Sequence, residues 1–310
     1  MQPTDMNTTV VFSAEEWQSL AHDHKQRIGA YTDPLLQLHK QGVRHPVYDF
    51  LFSYYYLSAG ALKRWHPGAG GIIANPSADR PAPHAGTKFY RAVSPDAVAG
   101  LPHGGWTVDV TEFGRQRAKM LAFVERLLSA TASRDAKLSC FGLHEWAMAY
   151  RSEVHGIRHA SVPLRLGAQG TDDVVESHKI SCSHFDAFRF YAPEARQMNH
   201  LQPTRDTMVE FEQPGCLHAN MDLYKWASKL LPAISSSLLA DCFELAWDIR
   251  VVDMQASPYD LADWGFEPIR IETPEGKATY VQAQRGFVER SQALRGRLIA
   301  SIEQLRAVAA

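Results

Sequence analysis

The sequence has almost no excess of charge of either sign. Its 310 residues include 32 lysines and arginines against 34 aspartates and glutamates, which gives a formal net charge of -2. A nucleic-acid-binding protein usually carries a basic face, because neutralising phosphates and releasing their counterions supplies most of its non-specific affinity. Net charge averages over the whole surface. The balance therefore weakens a role in DNA binding and leaves room for a local basic patch.

Cysteine is scarce, and long apolar runs are missing. The four cysteines include no CxxC pair, which disfavours a thiolate zinc finger, and their wide spacing is unlike a disulfide framework. Reduced thiols in a cytosolic protein are the simpler interpretation. No run approaches the roughly 18 apolar residues of a membrane-spanning helix, and the start of the chain lacks a basic segment before an apolar one. The sequence therefore predicts a cytoplasmic protein that does not enter the membrane.

Several active-site motifs are missing as well. The chain contains neither GxGxxG nor GxxxxGK[ST], so the GAGG segment at 68–71 indicates a turn rather than a phosphate loop. It contains no GxSxG, so a hydrolase with a nucleophile elbow has no support. Cys140 and His144 have the spacing of a nucleophile and its base, but a thiol just before an apolar helix is better explained as buried and inert.

Helical periodicity dominates what is present. Apolar residues recur at helical spacing over 13–29, 111–131, 141–151, 218–231, 236–254 and 279–307, and a further helix is expected over 47–65 after Pro46. Segments 158–167, 174–190 and 269–273 contain breakers with β-branched or alternating residues, which favours short strands. A chain with 45% apolar residues can bury a substantial core. The sequence predicts a mainly α fold with a few short β-strands (α+β).

No repeat, low-complexity tract or change of composition marks a domain boundary. We therefore expect residues 1–310 to form a single large helical domain. Residues 67–110 lack periodicity and contain many glycines and prolines, so an irregular loop region is predicted there. Its aromatic residues favour a loop packed beside a site over a disordered linker.

Histidines lie close to acidic residues at several positions. His184 and Asp186 would point to one face if 184–190 were a strand, and His178 lies just upstream. His218 and Asp222 share one face of a predicted helix. A mononuclear site needs two or three neutral imidazoles and a carboxylate around the ion. One iron or zinc ion is therefore a possible cofactor, with His178, His184, Asp186 and His218 as ligands.

The same residues have other interpretations. Buried histidines often have satisfied hydrogen bonds, a carboxylate can merely orient an imidazole, and either can cap a helix. An HxD pair followed by a later histidine also occurs in 2-oxoglutarate oxygenases, but their β-barrel disagrees with the helical pattern after His218.

A local group of cations and a set of aromatic residues complete the candidates. Arg151, Arg158 and Arg165, with two nearby histidines, could hold a phosphate or a carboxylate, or could form a solvated face. An enzyme that extracts a base needs aromatic faces to stack it and a carboxylate to activate water. The candidate carboxylates are Asp186, Asp222 and Glu145, and the candidate aromatic residues are Trp146, Trp226 and Tyr150, for which ordinary core packing is the alternative.

Seven segments together resemble a bacterial family that carries the name 3-methyladenine DNA glycosylase. They are HPVYDFLFSYY (45–55), RWHPGAGG (64–71), FGLHEWAMAYR (141–151), PLRLGAQGTDDVVESH (163–178), CSHFDAFRF (182–190), EQPGCLHANMDLYKWASKL (212–230) and ASPYDL (256–261). The resemblance runs from about residue 12 to the C-terminal helix. The chain lacks the Gly-rich hairpin and following aspartate of helix-hairpin-helix glycosylases, and it does not match the mammalian type of alkyladenine glycosylase.

The resemblance implies hydrolysis of the N-glycosidic bond of alkylated purines in DNA. In that hypothesis Asp186 or Asp222 activates water, Trp146 and Trp226 stack the base, and the DNA is contacted by Arg151, Arg158, Arg165 and Lys179. The histidines favour a different hypothesis, an iron or zinc enzyme acting on a small anionic substrate that Arg151 and Arg158 orient. A binding protein without catalytic activity is a third class.

Overall fold

A computed structural model describes residues 9–157 and 161–309. Most of these residues lie in α-helices, and one small four-stranded sheet accompanies them. The predicted mainly α fold with a few short strands is confirmed. Over the two described ranges, no helix is both long enough and apolar enough to cross a membrane.

The first helix begins where the sequence predicts it. Helix α1 (Ala14–Lys40) is preceded by a capping box, in which the Glu16 amide donates to Ser13 Oγ and the Ser13 amide donates to the Glu16 carboxylate. The single helix predicted over 47–65 is wrong. Two short helices, α2 (Phe50–Ser53) and α3 (Ala59–Leu62), form instead. Tyr56 has a φ of 55°, a left-handed conformation that a right-handed helix does not accommodate.

The later helices form the body of the molecule. The predicted ones are α4 (Val110–Ala132), α5 (Leu143–Ala149), α11 (Leu217–Leu230), α12 (Ser236–Gln255) and α13 (Pro274–Ala309). Between them lie shorter helices: α6 (Ser152–His155), α7 (Gly167–Ser177), α8 (Phe185–Phe188), α9 (Pro193–Met198) and α10 (Met208–Phe211), with a 3-10 turn at Ala262–Trp264 after α12.

The region predicted as irregular, 67–110, contains three of the four strands. The sheet has the order β1 (Val10–Phe12), β2 (Gly71–Ala74), β4 (Gly105–Val108), β3 (Tyr90–Val93). The β1 and β2 strands are parallel, and the other pairs are antiparallel. Strands of three or four residues are too short to show an alternating pattern in the sequence. Gly105 suits its place at the start of β4, because a Cβ there would lie 2.6 Å from the Ile73 carbonyl oxygen.

The strands predicted elsewhere are wrong. Segment 174–190 contains the end of α7 and all of α8, and 269–273 is a turn. Within the described part of 158–167, only an isolated bridge joins Leu164 to Tyr259. Residues 184–188 form a helical turn because His184 Nδ1 accepts a hydrogen bond from the Ala187 amide, 3.3 Å away, and so caps α8. A capping side chain competes successfully with an extended backbone there.

The main core lies where helices α4, α11, α12 and α13 pack on one another. Helix α12 is buried on several faces, with Leu239, Phe243, Leu245 and Ile249 fully enclosed. Burying each large apolar side chain contributes roughly 1.5–3 kcal/mol. Asp253, on the last turns of the same helix, is equally enclosed and is surrounded by this core. A buried carboxylate at such a position requires charged or hydrogen-bonding partners.

Candidate metal centre

Three helices bring two imidazoles and a carboxylate together inside the protein. His144 lies on α5, His218 in the first turn of α11, and Asp253 near the end of α12. One potential ligand atom from each residue lies within 4.8 Å of the other two. His144 Nε2 is 2.8 Å from Asp253 Oδ1, and the rings of His144 and His218 are 4.4 Å apart between centroids. All three side chains are buried.

His218 has no hydrogen bond from its side chain to any described residue. Its ring instead lies edge-on to His144 and is stacked at 5.4 Å on His184. Burial, together with the neighbouring charge of His144, holds its pKa well below the usual value. A neutral imidazole keeps a nitrogen lone pair, and this one is not used by a protein donor. That is the state in which histidine binds a metal.

Asp253 is held in place by a buried arginine. Arg250 donates to Asp253 Oδ2 at 2.8 Å and to Glu145 Oε1 at 3.0 Å, and its guanidinium lies 4.3 Å over the Phe50 ring. Burial alone would raise the pKa of Asp253, but His144 and Arg250 hold it below its ordinary value. The carboxylate is therefore ionised, with Oδ1 facing His144 and Oδ2 held by the Arg250 guanidinium.

A second buried group adjoins the first through His184. His184 Nε2 is 3.4 Å from Asp222 Oδ2 and 3.7 Å from Glu212 Oε1. Lys225 connects Asp222 to Asp186, with Nζ 2.8 Å and 3.0 Å from their carboxylate oxygens. Burial lowers the pKa of His184, but the Asp222 carboxylate outweighs this and raises it overall.

The combined cluster contains more acid than base. The carboxyl groups of Glu145, Asp186, Glu212, Asp222 and Asp253 are balanced in part by three largely buried cations, Lys225, Arg250 and Arg295, the last of which acts on Glu212. Two oxygens, Glu212 Oε1 and Asp222 Oδ1, are buried without a hydrogen-bond partner among the described residues. Burial raises the pKa of Glu212 to about 7. Protonated histidines or a bound cation would balance the excess.

The donor set fits a divalent transition metal. Two histidines and one carboxylate occur in catalytic zinc sites and in the facial triad of non-haem iron enzymes. His144 Nε2 and Asp253 Oδ1 are hydrogen-bonded at 2.8 Å. Burial lowers the pKa of His144, but the Asp253 carboxylate outweighs this and raises it, so a metal ion would replace the proton between the two atoms. His144, His218 and Asp253 can therefore hold a metal ion.

A narrow cavity lies beside the centre. His218, Glu145 and Arg250 line it, together with Asp186, Phe50 and Tyr54. Its volume is about 10 Å³, close to the least that holds one water molecule. Asp186, Phe50 and Tyr54 also line an open cleft of about 460 Å³ on the surface. The centre is thus close to solvent, and these side chains separate the two spaces.

The structure brings together most of the predicted catalytic and metal-binding residues. Glu145, Asp186, His184, His218 and Asp222 all belong to the buried cluster described above. Asp186, a predicted metal ligand, is bound at both oxygens by cations, Lys225 at 3.0 Å and Arg189 at 3.1 Å.

His178 lies elsewhere. It follows α7, where its Nδ1 is 2.7 Å from the Val174 carbonyl oxygen. The sequence reasoning missed Asp253 altogether and considered His144 only as the base for Cys140. The signal that could have found Asp253 is a pair of oppositely charged residues, Arg250 and Asp253, three apart at the end of a helix rich in apolar residues.

The predicted substrate-binding residues are mostly engaged with the protein. Trp146 is fully enclosed and donates its indole N–H to the Ala256 carbonyl, so neither ring face is open to a base. The Tyr150 hydroxyl donates to Glu176, and Arg165 forms two 2.7 Å bonds with Glu272. Trp226 is buried but forms part of a cleft wall.

The predicted DNA contacts that the structure describes each have their own surroundings. Arg151 pairs with Glu194 at 3.3 Å, and Lys179 is exposed at the end of α7. Arg158 lies outside the described residues.

Cys140 Sγ is 3.9 Å from His144 Nδ1, so the thiol adjoins the candidate metal ligand.

Comparison of the chain with protein-family models, with curated proteins and with solved structures finds no match. The resemblance to 3-methyladenine DNA glycosylases therefore stays a prediction, and the function has to be argued from the site.

Proposed function

We propose that the protein is a metal-dependent enzyme that acts on a small anionic substrate, with His144, His218 and Asp253 as the ligands of one iron or zinc ion. The observation that carries the proposal is the buried meeting of these three side chains, one of which, His218, has no hydrogen-bond partner among the described residues. The ligands of a catalytic metal ion are usually oriented by hydrogen bonds from the residues around them. Arg250 supplies that support for Asp253, at 2.8 Å.

The surrounding residues have roles that follow from their contacts. A bound divalent ion supplies Lewis-acid chemistry. Arg250 orients Asp253 and neutralises part of the carboxylate excess. His184 holds a proton at Nε2 between Asp222 and Glu212, and Glu212, with its pKa raised to about 7, can exchange one near neutral pH. Phe50 and Tyr54 keep bulk water away from the centre.

Elemental analysis of the purified protein tests the proposal. We expect near-stoichiometric iron or zinc in the wild type, and loss of most of it in His144→Ala, His218→Ala and Asp253→Asn. His178→Ala is the matched control, because His178 is the sequence-predicted ligand that the fold places elsewhere. Circular dichroism would show that each variant is folded, and Co²⁺ loading would give a spectroscopic readout independent of activity.

Two results would count against this ligand set. Protein without stoichiometric metal that also fails to take up Zn²⁺, Fe²⁺ or Co²⁺ would reject the metal centre. Metal that is lost in His178→Ala and kept in His144→Ala would show that the ion binds at a different place.

A second candidate function is the glycosylase activity that the resemblance implies. Its supporting observation is that Asp186 and Trp226 line one surface cleft together with Arg126, Arg205 and Lys229. This arrangement places a carboxylate and an aromatic wall beside cations that can bind phosphate. The test is release of methylated bases from alkylated duplex DNA, with a known glycosylase as the positive control. Release that is lost in Asp186→Asn would support the activity, and no release would reject it.

A further inference from the structure

A cleft of strongly basic character lies over the buried cluster. We call it the basic cleft and define it by Asp186, Arg205, Lys225 and Lys229, which line both of its lobes. The lobes have volumes of about 590 and 460 Å³. Arg126 adds a cation to one lobe and Arg189 to the other. Against these five cations the lobes contain only Asp186 and Asp206, on a chain whose net charge is -2.

Three of these cations have no ion pair with any described carboxylate: Arg126, Arg205 and Lys229. They come from different elements, with Arg126 on α4, Lys229 on α11 and Arg205 between α9 and α10. All three are exposed. The other two are already engaged, since Lys225 bridges Asp222 and Asp186, and Arg189 binds Asp186. The cations available to a ligand are therefore Arg126, Arg205 and Lys229, because Lys225 and Arg189 are already paired with carboxylates of the protein.

Aromatic side chains alternate with the cations. Tyr54, Tyr56 and Phe190 line one lobe, and Phe123 and Trp226 line the other. Tyr56 is 91% exposed and has a φ of 55°, an unfavourable backbone that holds a large ring in solvent at the edge of the cleft. Backbone strain of this kind concentrates at functional sites. Exposed rings beside cations suit a ligand that has both a flat apolar part and an anionic part.

We infer that the basic cleft binds a small organic phosphate with an aromatic ring. Its phosphate would be held by Arg205 and Lys229, with Arg126 nearby, and its ring would contact Tyr54, Tyr56 or Phe190. Phosphate fits this site better than a carboxylate does, because it can carry two charges and accept bonds from several donors at once. A small molecule fits the cleft, because its three cations without an ion pair among the described residues, Arg126, Arg205 and Lys229, are enough to hold one phosphate group.

The basic cleft and the small cavity beside the buried centre share lining residues. Asp186, Tyr54, Phe50 and Phe190 line both the cleft and the small cavity beside His218. A phosphate bound to Arg205 and Lys229 would place the rest of the molecule over the side chains that separate the cleft from the centre. That this ligand is the enzyme's substrate rests on the proposed metal centre, whereas its binding in the cleft does not.

Calorimetric titration of the full-length protein with phenyl phosphate tests the inference. Inorganic phosphate, phenol and a short single-stranded oligonucleotide are the comparison ligands. We expect phenyl phosphate to bind more tightly than phosphate or phenol. The double variant Arg205→Ala/Lys229→Ala should weaken that binding by about tenfold or more, because two charge-assisted contacts are lost. Lys40→Ala removes an exposed cation outside the cleft and should leave the affinity unchanged.

Three results would overturn the inference. They are equal affinity in the wild type and the double variant, absence of any preference for phenyl phosphate over its two fragments, and tighter binding of the oligonucleotide with a steep salt dependence, which would identify a nucleic-acid surface. Repeating the titration on His218→Ala separates the two proposals. Binding that persists there supports the cleft whatever the metal analysis gives, and metal content in the double variant reports on the centre alone.

Discussion

Replacing Arg250 by alanine should remove a large part of the protein's stability. Arg250 is fully buried and bridges Glu145 at 3.0 Å and Asp253 at 2.8 Å. Without it, two carboxyl groups would remain in the core without their shared cation. Breaking a buried ion pair from one side typically costs about 3–5 kcal/mol, because an uncompensated charge is left behind. The free energy of unfolding of a folded domain is roughly 5–15 kcal/mol, so that loss should clearly lower the urea midpoint.

The exposed pair between Arg290 and Asp248 is a matched control. Its N–O distance is also 2.8 Å, but both side chains are about half exposed. Such pairs contribute little because water screens them, so Arg290→Ala should change the free energy of unfolding only slightly. Arg250→Lys provides a folded comparison if the alanine variant is too unstable. It keeps the charge but cannot bridge two carboxylates as a planar guanidinium does, and we expect an intermediate loss.

The pH dependence separates lost charge pairing from lost packing. In Arg250→Ala, loss of the guanidinium should raise the pKa of Asp253 from its lowered value, while His144 continues to lower it. A carboxyl group with a lowered folded pKa stabilises the fold above its unfolded pKa, and this contribution is lost as pH falls through the folded pKa. The difference in stability between wild type and variant should therefore stay level above about pH 4 and shrink below it. A difference below about 1 kcal/mol at pH 7, or one that does not shrink below about pH 4, would refute the reasoning.

Two further predictions concern other parts of the fold. Burial lowers the pKa of His66 to about 3. Because unfolded His66 takes up a proton near pH 6.5, the stability it contributes is present above that pH and should decline as pH falls towards 3, by up to about 1.4 kcal/mol per unit. Urea midpoints across this range should fall less steeply for His66→Gln than for the wild type. On α13, Gly276→Ala should cost more than about 2 kcal/mol, because its Cβ would lie 1.9 Å from the Arg270 carbonyl oxygen, whereas Gly286→Ala meets nothing within 4 Å and should stabilise the helix slightly. Equal urea midpoints for the two alanine variants would contradict the close approach of Gly276 to the Arg270 carbonyl.

The sequence predicted those parts of the fold that depend on local periodicity. Helix α12 was found because its apolar residues recur over five turns, and α1 because Ser13 and Glu16 form a capping box. The strand predicted around His184 failed for a reason that periodicity does not reveal. The His184 side chain caps its own helical turn, and short segments are decided by such single contacts.

In the candidate site, too, the residues related by local spacing could be predicted, and those that meet only through tertiary packing could not. The spacing of His218 and Asp222 predicted that they share one face of a helix, and both lie on α11 in the buried cluster. His184 joins them there from 38 positions away in the chain. No spacing rule connects His144 with Asp253, which are 109 positions apart and meet only through the packing of α5 against the end of α12. His178 had the expected residue type and a nearby position, but its place after α7 directs its ring to the Val174 carbonyl.

The cluster is hard to explain by stability alone. Replacing a buried ion pair with apolar side chains of similar volume is often neutral or stabilising, so burial of Arg250 with Glu145 and Asp253 gives the fold no clear energetic advantage. His218 adds a second cost, since a buried imidazole without a described hydrogen-bond partner loses its hydration and gains only ring contacts. Both observations have one explanation if the group binds a cation. Bound metal would use the free nitrogen of His218 and the charge of Asp253, and binding to the folded state alone would stabilise it by mass action. Chelation should therefore lower the melting temperature of the wild type and leave that of His218→Ala unchanged.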